Sequence, residues 1–463
     1  GRATRAGVPG RVRALLRCRP MSQPRPPRIA VVGAGPAGAA AAHVLSRSGA
    51  RAVVFEARRA VGGRTRTEAM DGFRVDAATQ LFGSMYAELF RVLREAGAGE
   101  LAVRSPGRDA LLRGGRVHEV VYGNIPSMLT SGALPLALKL RMGAQYMPFL
   151  ARHGASLDMH ALERAAEAGL DRESIAAWGE RELGRDFVEY LAYPFLSTSY
   201  GVLPEETTAA LYHMLAHYGT SVEIFALRGG ASGFCEAVLA GVLERGGEVR
   251  TDTPVLRVEA RGDGVEVAGE GWSEAFDAAV VPVPAPAARE LLAGSPAADA
   301  LAAVRMRPAV SLALLLDRPA GVRWFGLSLP RGESRSVATV SVQENKGPGL
   351  VPAGRGLLVV FPTPEAGERL LDAEPRAVVD ALLPDVARVL PGVDRAAKRA
   401  KVFGWRHGWT LFPPGYPGRL PELRRAAWNQ GPIALAGDYL YAPSVEGAVK
   451  AGVQAAGWVL KGG

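Results

Sequence analysis

The stretch that most limits the fold is residues 28–56, RIAVVGAGPAGAAAAHVLSRSGARAVVFE. Residues 28–33 are a short apolar run ending in glycine, the pattern of a buried parallel strand. The small-residue stretch 36–48 predicts a helix, with Pro36 in its first turn, where a missing N–H is dispensable. Residues 49–56 predict a second strand, completing a β-α-β unit. Between strand and helix stands GAGPAG, which places Gly33, Gly35 and Gly38 in G-x-G-x-x-G spacing around Pro36 and Ala37. The first glycine permits the tight turn, and the second lets a pyrophosphate approach the backbone. The third lets helix and strand pack closely, so the helix N-terminus faces the phosphates. Glu56 follows Gly33 by 23 positions, where an acid meets the ribose. Strand, glycines, helix, strand and acid in this order predict an α/β, Rossmann-like dinucleotide site.

A chain of 463 residues exceeds what one core usually holds, so two domains are expected. From Met85 to Ala226 the pattern reads as helical, followed by a helix over 229–245 and strands in 248–269 and 276–284. Residues 301–400 mix strands with an amphipathic helix near 375–390, and the chain ends strand, loop, helix. The net charge of +9 suggests nucleic acid, but eight arginines and no acids lie in residues 1–28. The remainder is nearly neutral, so no nucleic-acid face is expected. The first 27 residues predict a basic, disordered arm; they are acid-free like a transit peptide, yet Met21 also suits a start after an upstream stretch. Cys18 and Cys235 are too few for a disulfide framework and lack metal spacing. His213 and His217, four apart, have no third ligand, so no metal is expected. The uncharged segment 125–138, IPSMLTSGALPLAL, is too short to span a bilayer; lining a greasy pocket is preferred over lying in a membrane surface.

FEARRAVGGRTRT, residues 55–67, separates one dinucleotide from another. Gly62 and Gly63 give a second close backbone approach, and Arg64 adds a guanidinium suited to a diphosphate. Here the sequence resembles the flavin-containing amine oxidase superfamily, which includes monoamine oxidases, protoporphyrinogen oxidases and carotenoid desaturases. The resemblance implies FAD, with Arg64 at the pyrophosphate. GFRVDAATQLFG, 72–83, resembles the family loop passing the flavin, which implies that Ala78, Thr79 and Gln80 lie near the ring. TPVLRVE, 253–259, resembles the strand that meets the adenine, here at Val255. LAGDYLYAPSVEGAVKAG, 435–452, resembles the closing motif. It implies Asp438 at the ribityl chain and Val445, Glu446 and Ala448 at a helix start aimed at the flavin.

The family's lysine near the flavin has no counterpart in AVSLALLLD, where Leu312 aligns with it. Gly408 and Ser444 stand where amine oxidases place two rings. Trp405 and His407 in FGWRHGWTLFPPG are the substrate-side candidates, with wall or core roles preferred; no catalytic residue is named. Residues 28–84, 229–290 and 401–463 are expected to form the FAD-binding domain, and 85–228 with 291–400 an interleaved helical and sheet substrate domain. The resemblance implies an FAD-dependent oxidoreductase that dehydrogenates a bulky apolar small molecule by hydride transfer to the flavin. A flavin amine oxidase is the enzymatic alternative. A non-catalytic binder, like the guanine-nucleotide dissociation inhibitors of the same fold, is the alternative of another class. The electron acceptor, oxygen or quinone, stays open. The location expected is cytoplasmic, with peripheral membrane contact left open.

Overall fold

The computed structural model describes residues 25–121 and 123–462, so most of the basic arm, with Cys18 and Met21, lies outside the described residues. The β-α-β unit forms as the pattern predicts, with β1 (Arg28–Val32), α1 (Pro36–Arg47) and β2 (Arg51–Phe55). β1 pairs in parallel with β2 and, on its other side, with Ala278–Val281. Glu248–Arg250 and Ile433–Leu435 complete a five-stranded sheet. Its strands come from three separated stretches of chain and, apart from the edge strand Glu248–Arg250, are buried on both faces, which explains their near-continuous apolar runs.

A second, seven-stranded sheet is built from Ala397–Thr410, Met306–Leu316, Gly356–Pro362, Val337–Val342, Gly326–Ser328, Arg108–Arg113 and Arg116–Val121 in that spatial order. Residues 401–410 therefore belong by pairing to this sheet, beside Met306–Leu316. One face of the sheet packs against the helix Pro375–Val389, through Leu312, Leu314, Val340, Val378 and Leu382. The helix Tyr193–Ser199 packs on its strands Gly326–Ser328 and Val337–Val342, and Ile125–Thr130 lies beside its edge strand Arg116–Val121.

Two expectations need correction. The helical reading of 85–226 missed the hairpin Arg108–Val121, whose turn is Gly114–Gly115 with φ of 59° and 70°. Segment 125–138 does not line the central cavity: it forms the short helix Ile125–Thr130 and the start of Leu136–Arg141 on the surface, with Ile125, Leu129 and Leu136 exposed. Ala133, Leu134 and Leu138 are buried in the core below, which leaves Ile125, Leu129 and Leu136 on the outer side.

His213 sits in the helix Ala209–Gly219, fully buried against Tyr146, Phe149 and Trp178. Its Nδ1 lies 3.0 Å from the Tyr146 hydroxyl, and Nε2 has no partner among the described residues. Burial, helped by nearby His153, pushes its pKa down to about 3. The unfolded imidazole titrates near 6.5, so protons favour the unfolded chain, and stability should fall as pH drops from about 6.5 towards 3. Between pH 6.5 and 5 the loss should reach roughly 2 kcal/mol, at ~1.4 kcal/mol per pH unit. Thermal unfolding of wild type and His213→Phe across that range checks this: the variant should show the shallower slope, and equal slopes would exonerate His213. No group of three or more metal-ligating side chains occurs among the described residues.

Candidate functional site

The glycine turn after β1 is locked by its own backbone. Gly33 N–H donates to the Phe55 carbonyl at 2.7 Å, and Gly62 N–H donates to Ala34 O at 2.9 Å. A Cβ on Gly38 would stand 1.8 Å from the Gly33 carbonyl oxygen, so only glycine lets α1 start this close to β1. Gly62 has φ of 114°, a left-handed conformation that turns the second glycine pair back onto the first. Gly35 and Gly63 then face each other, and a Cβ on Gly35 would meet nothing nearer than 3.9 Å. That open space lies at the N-terminus of α1, whose first N–H groups have no intrahelical acceptor.

Glu56 is buried at the end of β2. Its carboxylate accepts from Ala34 N at 3.0 Å and from Arg58 N at 3.0 Å, so the acid is fixed beside the glycine turn. The Glu56 carbonyl accepts from Thr253 N at 2.9 Å. Val255 follows, half-buried in an extended run that precedes the strand Arg257–Arg261.

Arg64 makes a bidentate pair with Asp438, at 2.9 Å for each bond, and also donates to Gly408 O at 3.1 Å. Thr410 Oγ1 donates to Asp438 at 3.0 Å. Burial opposes the charge of Arg64, yet Asp438 holds its pKa above the usual arginine value. The guanidinium keeps 28% of its side chain exposed, and the open side faces a cavity. Arg64 and Asp438, expected at separate parts of FAD, thus form one clasp across the site.

That cavity, about 290 Å³, runs between the two helix starts. Pro36, Arg64, Thr79 and Asp438 line one end, with Val445 and Ala448 at the N-terminus of the helix Val445–Val459. Ser444 caps this helix by accepting from Gly447 N at 3.0 Å. Helix and α1 touch closely, since a Cβ on Gly452 would fall 2.0 Å from Ala37 O. Ala78, Thr79 and Gln80 line the cavity as a loop; Thr79 Oγ1 donates to Arg64 O, and the Gln80 amide donates to Asp76 O at 2.8 Å. Glu446 points elsewhere. Its carboxylate accepts from Glu88 N and Leu89 N at the start of α2 (Ala87–Glu95) and meets His160, so only its backbone stays with the helix start.

The other end of the cavity is aromatic, with Phe195, Tyr200, Phe325, Phe361, Trp405 and Trp409. His407 is not among the lining residues; it lies between these tryptophans, in a bulge opposite Arg307–Ala309. Gly408 does line the cavity, and a Cβ there would stand 2.3 Å from Ala309 Cβ, so no ring fits at that position. Trp405 and Trp409 line the cavity from the same strand.

Leu312 faces the wrong way for the role aligned to it. It packs towards the helix Pro375–Val389, while Ala309, Ser311 and Ala313 point to the cavity side, where Ser311 Oγ donates to Ala77 O at 2.6 Å. No lysine stands on either face of this strand. A lysine missed by sequence reasoning lies under the Ala78–Gln80 loop instead. Lys346 is 1% exposed and pairs with the buried Asp76. Burial pulls its pKa below the usual lysine value, against the attraction of Asp76. Asp76 also accepts from Ala231 N at 2.9 Å and Thr67 Oγ1 at 2.5 Å, and Gln343 donates to Gln80 at 2.7 Å. Asp109 was missed too: it lines the cavity from the overlooked hairpin and accepts from Gly326 N at 2.9 Å. The alternating RDALLRGGRVHEVV pattern with its Gly-Gly turn was the signal available.

The sequence profile of the family described as Flavin containing amine oxidoreductase matches residues 36–460. Protoporphyrinogen oxidase 2 of Arabidopsis thaliana is 26% identical over 184 residues, covering 38% of this chain and 33% of that protein. Carotenoid phi-ring synthase of Streptomyces griseus is 26% identical over 418 residues, 84% of this chain and 78% of that one. The match thus spans only a third of the plant relative, but most of the bacterial one. Cyclohexylamine oxidase from Brevibacterium oxydans superposes with a TM-score of 0.73 at 19% identity, over 94% of this chain and 99% of that chain, a likeness of fold.

Proposed function

This chain belongs to the flavin containing amine oxidoreductase family, FAD-dependent oxidoreductases, and from that premise we propose that it dehydrogenates a bulky apolar small molecule, porphyrinogen-like or polyene-like. FAD supplies a two-electron acceptor; the chain supplies the seat. In this reading residues 28–84 and 229–290 with the end of the chain hold the cofactor. Gly33, Gly35, Gly38, Gly63 and the start of α1 receive the pyrophosphate, with Glu56 at the ribose and Val255 near the adenine. Val445 and Ala448 meet the flavin, and the Arg64–Asp438 clasp fixes the segments on either side. The observation that carries the substrate class is the aromatic end of the cavity, where six rings offer apolar surface worth ~25 cal/mol per Å² buried. The chain's part is then to bind and orient the substrate and to exclude water.

Asp109 favours a second reading. Its carboxylate, which accepts from Gly326 N, stands on a cavity wall that also carries Thr198, Thr339 and Ser341, a polar setting that would attract the ammonium group of an amine substrate. Anaerobic mixing of the purified protein with a porphyrinogen, a polyene and simple amines separates the two. The apolar reading expects the flavin to bleach with the ring or polyene and to be slow with benzylamine or putrescine. Fast bleaching by the amines alone, abolished in Asp109→Asn, would replace it with the amine reading. Admitting oxygen or a quinone afterwards identifies the acceptor.

A further inference from the structure

Among the described residues, six of the eight exposed large hydrophobic side chains fall between 117 and 147: Val117, Ile125, Leu129, Leu136, Leu140 and Met147. Leu136 is 71% exposed and Leu140 65%. They are not scattered. Residues 136–153 run as one helical rod, Leu136–Arg141 continuing through a π-turn into Met147–His153. Leu136, Leu140 and Met147 recur at helical spacing on its outer side, while Leu138, Tyr146 and Leu150 are buried on the inner side. The preceding helix Ile125–Thr130 adds Ile125 and Leu129 and is tied to the rod by Lys139, whose ammonium donates to Leu129 O at 2.7 Å and Ser131 O at 2.6 Å.

Within residues 120–157 the charge has one sign, with the exposed Glu119 just before them. From Val120 to Leu157 the sequence contains no aspartate or glutamate, but it has Lys139, Arg141 and Arg152, and both arginines are exposed. A protruding apolar ridge bordered by more bases than acids is complementary to an anionic lipid surface: apolar side chains enter the acyl boundary while the exposed Arg141 and Arg152 meet headgroups. No helix among the described residues is long and apolar enough to cross a membrane, so the contact would be superficial. The face also adjoins the cavity. The chain enters it through Gly123, where a Cβ would stand 2.8 Å from Val222 O, and Val222 lines the cavity wall.

We infer that residues 125–147 dock the protein on the surface of an anionic bilayer, beside the wall of its cavity. The inference rests on the exposed residues and their charge, and holds whichever substrate is oxidised. The test is co-sedimentation of the full chain with phosphatidylcholine vesicles containing phosphatidylglycerol, comparing wild type with Leu136→Glu/Leu140→Glu. Both leucines are exposed, so the variant should fold and keep its flavin at the wild-type level. It also keeps the eight arginines of residues 1–28, which isolates the face from the arm. Wild type should partition onto the vesicles, and the variant's partitioning should fall at least about tenfold. Three results would overturn the inference. The variant binds as well as wild type, so the arm is responsible; or wild type does not bind. In the third, gel filtration shows that the variant splits a wild-type dimer that ignores vesicles, which makes the face a protein interface.

Discussion

Arg64→Ala should purify with little or no flavin. The guanidinium makes three hydrogen bonds, two to Asp438 and one to Gly408 O, and joins segments 374 positions apart in the chain. Its loss leaves a buried carboxylate with only Thr410 as a hydroxyl donor, and removing one partner of a buried pair costs about 3–5 kcal/mol. It also removes the positive charge that faces the cavity where the cofactor's phosphates are proposed to sit. Both effects act on the same segments, so the flavin-to-protein ratio should fall far more than in Glu56→Ala, which removes an acceptor of Ala34 N and Arg58 N but no positive charge facing the phosphates. A double-mutant cycle with Asp438→Ala separates the contributions. If Arg64 acts only through Asp438, the double variant should bind flavin about as poorly as the worse single variant. Wild-type flavin content in Arg64→Ala would show that the clasp does not support flavin binding.

Lys346→Met should destabilise the whole fold. Asp76 is fully buried, and the lysine is its only cationic partner among the described residues. Stripping it leaves a charge in the interior at a cost of about 3–5 kcal/mol, against a total stability of roughly 5–15 kcal/mol. The loop Ala78–Gln80 begins two residues after Asp76, so flavin binding should weaken with stability. Adding Asp76→Asn, which removes the stranded charge yet keeps an acceptor for Ala231 N, should recover part of the loss. Apparent melting temperatures of the three variants check the order: Lys346→Met lowest, the double variant between it and wild type. Equal melting of Lys346→Met and wild type would mean the pair is dispensable.

The legible parts of this molecule were those written locally. The β-α-β unit, its three glycines and Glu56 lie within 29 consecutive residues, and each step is dictated by sterics or by an unsatisfied helix terminus. The family resemblance extended that reading to Ala78–Gln80 and the final helix, and these do meet at one cavity. What stayed hidden depends on facing and on distance. Leu312 and Ser311 are neighbours in sequence, but the strand's two-residue period sends them to opposite faces, so a slip of one position reverses the conclusion. Glu446 stands inside a cofactor motif, yet its side chain serves the start of α2, a partner more than 350 positions away. Lys346 and Asp109 belong to no motif; one is found only through Asp76, the other only through a hairpin whose Gly-Gly turn was outweighed by helical neighbours.

FAD should sit in the cavity between the two helix starts without a covalent bond. Cys235, the only cysteine among the described residues, is buried, hydrogen-bonded to Thr65 and pushed up to about 12 by burial, so it is no attachment point. The direct measurement is to denature the purified yellow protein, separate chain from supernatant and identify the nucleotide in each. FAD should be in the supernatant, close to one per chain, above a colourless pellet. A nicotinamide dinucleotide in its place, or flavin that stays with the denatured chain, would contradict it.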